Sequence, residues 1–154
     1  MKEKVSLITP PRFEEKDLQY YLGALRSGRP LAESSLLAGS EPHKFGGTLL
    51  ICQTYIGAPD TLGQELLHHL ITSLNSLQEL PRFLIFMHEA VRLCTEGSPL
   101  LPTLQLLQKR GCSVRICEYS AQKLSLSEEI KVGHLVSLHL ILEICLKSAK
   151  VIRF

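Results

Sequence analysis

No run of this 154-residue chain reaches the roughly 18 consecutive apolar residues that a membrane-spanning helix needs. Its first residues, Met1-Lys2-Glu3-Lys4-Val5, lack the apolar stretch of a secretory signal. No membrane partner is expected, and the expected compartment is the cytoplasm. An excess of one charge is also missing. The net charge is +2, and basic and acidic side chains are nearly balanced both before and after residue 45. That leaves no electrostatic footprint for nucleic acid. Five cysteines, an odd number at irregular spacing, do not make a disulfide framework and read as reduced thiols. There is no internal repeat and no low-complexity tract. The loop Tyr55-Ile56-Gly57-Ala58-Pro59-Asp60 has the strand-to-helix placement of an anion site but not the glycine pattern of a dinucleotide or phosphate loop. No nucleotide or other cofactor is expected.

What is present is an ordinary soluble composition, 45% hydrophobic against 21% charged, in a chain long enough for one core. From Thr48 onward, short β-rich runs alternate with longer leucine-rich stretches, the pattern of βαβ units around a parallel sheet. Residues 48–52 read as a first strand, apolar nearly throughout, and are expected at the sheet centre. The spacing of Leu62, Leu66, Leu67, Leu70, Ile71, Leu74 and Leu77 predicts a helix over 61–78 with a wide buried stripe. Residues 82–87 form a second strand, and a loop over 88–97 follows. Ser98 as N-cap, Pro99 at the first helical position and Gly111 as terminator frame the next helix. Its buried face is Leu100, Leu101, Leu104 and Leu107. A third strand ends at Cys117, and a polar segment with a short helix follows it. Residues 134–147 then read as one helix, apolar nearly all round, either sandwiched within the monomer or lying at a subunit contact. Residues 150–154 close the sheet as a short edge strand. The expected fold is a three-layer, doubly wound α/β domain with a mainly parallel sheet of four or five strands, spanning residues 48–154. Residues 1–47 form an arm: an amphipathic helix over 13–27 on Leu18, Tyr21, Leu22 and Leu25, then a linker rich in Gly, Pro and Ser.

The chemistry-bearing candidate is Cys117. A thiol at the carboxyl end of a parallel strand faces the crevice where ligands collect in such sheets. It acts as a nucleophile only as thiolate, so the site must favour the anion through a helix N-terminus or a nearby cation. A helix beginning near Ser120 supplies the first, and Lys123, Arg92 and His88 are candidate cations; Glu118 opposes them. The competing reading is that Cys117 is a small buried apolar residue. Cys94 reads as loop packing, and Cys52 and Cys145 as core. Cys112 and Cys117, five apart, point to opposite faces and do not form a close pair. Glu65, His68 and His69 have helical ligand spacing, but no second motif answers them and a metal site needs three or four converging ligands, so no metal is expected.

Residues from about Phe45 to the end resemble the DsrE/DsrF-like sulfur-relay family, in particular the C-terminal domain of the YedF-type selenium-metabolism proteins. The resemblance lies in ordered short blocks: Leu62-Gly63, Leu80-Pro81, Phe86, Ala90-Val91-Arg92-Leu93, Glu96-Gly97-Ser98, Gly111, Cys117, Val132-Gly133 and Lys150-Val151-Ile152-Arg153. It implies a homotrimer or homohexamer that carries sulfane sulfur, or selenium, as a cysteine persulfide between donor and acceptor proteins or small sulfur species. It also implies a sulfurtransferase-like role for Cys117, tuned by Arg92, His88 and Lys123 and hydrogen-bonded by Ser120. The family's fuller pattern at this point is Cys-Gly-Thr-Cys, whereas this chain has Cys117, Glu118, Tyr119 and Ser120. Two-thiol chemistry within the loop is excluded, and single-thiol carriage is not. The N-terminal carrier domain of those relatives has no counterpart, since 45 residues are too few and Thr9-Pro10-Pro11 carries no cysteine. The alternative function is a noncatalytic oligomeric binding or scaffold protein of the same fold.

Overall fold

The computed structural model describes residues 46–154, so the helix expected over 13–27 and nearly all of its linker lie outside the described residues. Five strands form one sheet: β1 (Gly47–Ile51), β2 (Phe83–Phe86), β3 (Ser113–Cys117), β4 (His134–Val136) and β5 (Lys150–Arg153). Their order is β4-β3-β2-β1-β5, and every neighbouring pair is parallel. Parallel neighbours need crossover connections. Helices α1 (Thr61–Leu74), α2 (Leu101–Lys109) and α3 (Glu118–Lys123) carry the three steps from β1 to β4, and α4 (Leu138–Lys147) carries the return to β5. Right-handed crossovers place α1 to α3 on one face and α4 on the other, because the return runs in the opposite direction across the sheet. As expected of a first strand apolar nearly throughout, β1 lies inside the sheet, paired with β2 on one side and with β5 on the other (Gly47 with Lys150), and β2 holds the middle position.

Side-chain alternation divides the interior accordingly. Leu49, Ile51, Leu84, Phe86, Val114 and Ile116 pack with Leu67, Ile71, Leu104 and Leu107 in one buried cluster. On the opposite face Thr48 meets α4's C-cap, its hydroxyl 2.6 Å from that of Ser148, while Leu140, Ile141 and Ile144 are buried. The stripe on α1 is narrower than its sequence suggests. Gly63, Leu67, Ile71 and Leu74 are buried, whereas Leu62 is 64% exposed and Leu66 46%. The helix also ends at Leu74, short of residue 78. There the Arg110 guanidinium donates to the Asn75 and Leu77 carbonyls at 2.6 and 2.8 Å, satisfying the chain in a turn instead of another helical repeat.

Two glycines fix the start of α1 and the entry to β4. A Cβ on Gly63 would stand 2.0 Å from the Ala58 carbonyl oxygen, so the β1–α1 loop closes only on a residue without one. Gly133 has φ +78°, and a Cβ there would meet Val114 Cγ1 at 2.7 Å. It re-aims the chain into β4, which overturns the expectation of a single helix over 134–147. His134, Leu135 and Val136 pair with Arg115, Ile116 and Cys117, and Ser137 then caps α4 by accepting the Leu140 N–H at 3.2 Å. A leucine-rich run has no periodicity that separates a three-residue strand from the helix behind it. The second crossover helix begins three residues after Ser98. Ser98 accepts the Leu100 N–H at 3.3 Å, and Pro102, not Pro99, occupies the first turn. Among the described residues no helix is long and apolar enough to cross a membrane.

Candidate functional site

At the carboxyl end of β3, Cys117 is both the last strand residue and the N-cap of α3. A capping atom accepts one of the free N–H groups that open a helix. Here the acceptor is sulfur: Cys117 Sγ takes the Ser120 backbone N–H at 3.4 Å. The Ser120 hydroxyl in turn accepts the His88 backbone N–H at 3.0 Å. His88 lies just past β2 and has φ 51°, a left-handed conformation uncommon for a residue with a side chain. It opens the 3-10 helix His88–Cys94, which packs against α3 and β3. Under this closure Cys117 has 0% exposure. The structure therefore brings Cys117, Ser120 and His88 together, with His88 contributing its backbone, and seals the sulfur that the crevice reading expects to be presented.

The expected cations are engaged elsewhere. Arg92 Nε bonds Glu89 Oε2 at 2.6 Å, and the Lys123 ammonium sits 5.6 Å from the centre of the Tyr119 ring. Among the described residues neither is hydrogen-bonded or ion-paired to the thiol. Glu118, in the first turn of α3, interacts favourably with that helix terminus and works against an anion on the adjacent sulfur.

The other thiols divide by burial. Cys94 and Cys112 are buried. Burial pushes the Cys94 thiol far above the ordinary range, and it pushes Cys112 up to about 12, partly offset by the positive charge of Arg115. Both are packing residues. Cys52 and Cys145, which read as core from their apolar surroundings, are instead part-exposed. The strand reading also missed Arg115 as a feature of the interior. This buried arginine on β3 donates to the Val114 carbonyl at 3.2 Å and lies 5.9 Å from the centre of the Phe83 ring, and burial lowers its pKa. A charged residue inside an otherwise apolar strand run was the signal available.

The anion reading of the β1–α1 loop also changes, because the N-terminus of α1 is already occupied by its own carboxylate. Asp60 Oδ1 accepts the Gly63 N–H at 2.8 Å. Beside it, Glu65 and His68 line an open cavity of about 410 Å³ with Thr54, Leu67, Leu93 and Leu100. Among the described residues no three His, Cys, Asp or Glu side chains are arranged to hold a metal ion.

An all-parallel five-stranded sheet in this order, with helices on both faces, defines a DsrE-like α/β fold. The crystal structure of the YchN protein from E. coli matches it with a TM-score of 0.54 at 19% identity, over 70% of this chain and 98% of that one. At that identity the likeness carries the fold. No family model and no curated protein matches the chain.

Proposed function

We propose that this chain is a cytoplasmic DsrE-like binding or scaffold protein that keeps the fold without its sulfur-transfer chemistry. The observation behind this reading is the state of one atom: the Cys117 sulfur is fully enclosed and engaged as a helix cap. A sulfur carrier must offer its thiolate to a donor and then its persulfide to an acceptor, and exchange at sulfur depends on access to it. Replacement of the family's second cysteine by Ser120 fits the same reading, since that hydroxyl now ties α3 to His88. Assembly into a homotrimer or homohexamer is part of the proposal. It is supported by the outer row of α4, where Leu138, Leu142 and Leu146 are 44, 58 and 78% exposed at one-turn spacing.

Persulfide carriage on Cys117 is the second reading, and one observation favours it. Its sulfur stands at the carboxyl end of a parallel strand, where ligands collect in such sheets, and already receives a backbone N–H at a helix start. Transfer would then require the His88–Cys94 turn and α3 to part. The deciding experiment incubates the reduced protein with inorganic polysulfide and maps one-sulfur adducts by mass spectrometry beside a reactive control thiol. The scaffold reading expects Cys117 to remain unmodified. An adduct on Cys117 that is lost in Cys117→Ser would replace it with the relay.

A further inference from the structure

The open cavity beside α1 combines an apolar lining with polar groups of one electrostatic sense. Thr54 reaches it from the loop after β1 and Leu93 from the 3-10 turn after β2, so it lies past the carboxyl ends of two paired parallel strands. Ligands collect there in open α/β sheets. Its volume of about 410 Å³ is within the range of small-molecule sites. Backbone bonds hold its walls: the Ile56 N–H donates to the Gly63 carbonyl at 2.9 Å at the start of α1, and the Lys131 N–H donates to the Cys94 carbonyl at 2.9 Å beside Leu93. Leu67 and Leu100, both buried, join Leu93 and Pro99 as the apolar lining. Thr54, Gln64, Glu65 and His68 supply the polar groups, and no lysine or arginine is among the lining residues. On α1, Gln64 and Glu65 stand at i, i+4 and i, i+3 spacing to His68, so both heads neighbour the imidazole. Among the described residues nothing pairs with or donates to the Glu65 carboxylate. The positive end of α1 does not neutralise it either, because Asp60 already caps that end with a carboxylate of its own.

We propose that this cavity binds a small organic monocation, an amine carrying a hydrocarbon or aryl body. An ammonium group has donors and no acceptor. The polar lining answers it with acceptors: the Glu65 carboxylate, the Gln64 amide oxygen, the Thr54 hydroxyl and a ring nitrogen of neutral His68. Glu65 sets the charge preference. An anion of the same shape meets an unneutralised carboxylate, and a neutral analogue leaves that carboxylate without a counter-ion. The body of the ligand gains by leaving water for the leucine and proline lining, so affinity and charge selection come from different residues. Cys117 does not line this cavity. The proposal therefore goes beyond the scaffold reading, by giving the fold a small-molecule ligand, and holds whether or not that sulfur is reactive.

The test titrates the reduced full chain with three probes of one shape, phenylbutylamine, phenylbutanol and phenylbutyrate, and follows amide shifts by NMR. It is run at about pH 8, above the ordinary imidazole range and below that of an ammonium. The amine is expected to shift the amides of Leu67, His68, Leu93 and Leu100 saturably, and to bind about fivefold tighter than the alcohol, with the carboxylate weakest. Glu65→Gln keeps the side-chain length on an exposed helical position, so Tm should hold while the amine falls to the affinity of the alcohol. The proposal is overturned if millimolar amine gives no saturable shift, if the shifts gather away from the cavity, if the alcohol or the carboxylate binds as tightly as the amine, or if Glu65→Gln leaves the preference intact. The polysulfide map of Cys117 is read separately, so either conclusion can fail alone.

Discussion

If Cys117 serves as a cap, its sulfur should be measurable as stability. Cys117→Ala removes the acceptor for the Ser120 N–H and empties a site with no solvent exposure. Losing an N-cap acceptor costs about 1 kcal/mol. Deleting one buried group the size of a methylene adds about 1 kcal/mol. The sum, about 2 kcal/mol, corresponds to a fall in Tm of roughly 6–12 °C for a domain of this size. Cys117→Ser keeps a capping oxygen of nearly the same reach, so it should lose clearly less than the alanine variant, the remainder being the price of a buried hydroxyl. Urea titration of the three proteins, with the slope m checked for constancy, gives the comparison. A Cys117→Ala protein as stable as the parent, or a serine variant worse than alanine, would refute the capping argument and return the sulfur to a role outside folding.

Three further outcomes follow from the same structure. Gly63→Ala, which in an open helix gains about 1 kcal/mol, should here destabilise by about 1–3 kcal/mol, because the new methyl meets backbone oxygen; a urea midpoint at or above the parent's would show that the loop gives way. Arg110→Ala frees the Asn75 and Leu77 carbonyls, so amide hydrogen exchange should quicken at 75–80 while β2 and β3 stay protected. Cys112, raised from 9.0 to about 12, binds its proton more tightly folded than unfolded. Its contribution is therefore fully present below pH 9 and is lost as pH rises toward 12. Stability should fall by about 1.4 kcal/mol per pH unit for this thiol in that window, and Cys112→Ala should flatten the slope measured by urea titration from pH 8 to 11.

Much of the architecture was legible because its signals are local. The apolar runs at 48–52, 82–87 and 113–117 became strands within a residue or two, and both Leu62-Gly63 and Val132-Gly133 mark places where a side chain does not fit. Cys117's position at a strand end was readable for the same reason. Its enclosure was not, because it depends on Ser120 reaching His88 across 32 residues of chain. Nor was the end of α1, which a guanidinium 35 residues away decides. The part-exposure of Cys52 and Cys145 escaped local reading because both follow largely apolar runs, Thr48 to Ile51 and Leu140 to Ile144, that by themselves suggest burial. Within 134–147, sequence hydrophobicity did not separate the buried Leu140, Ile141 and Ile144 from the exposed Leu138, Leu142 and Leu146, and it was silent about where strand passes into helix.

Native-state alkylation tests the central claim most directly. Reduced protein is pulsed with iodoacetamide in the absence of denaturant, and the modified peptides are quantified over time. The account predicts labelling at Cys52 and Cys145, with Cys117 joining Cys94 and Cys112 only once denaturant is added. Labelling of Cys117 in the native protein as fast as that of Cys52 would contradict it, and the sulfur relay would then be the reading to pursue.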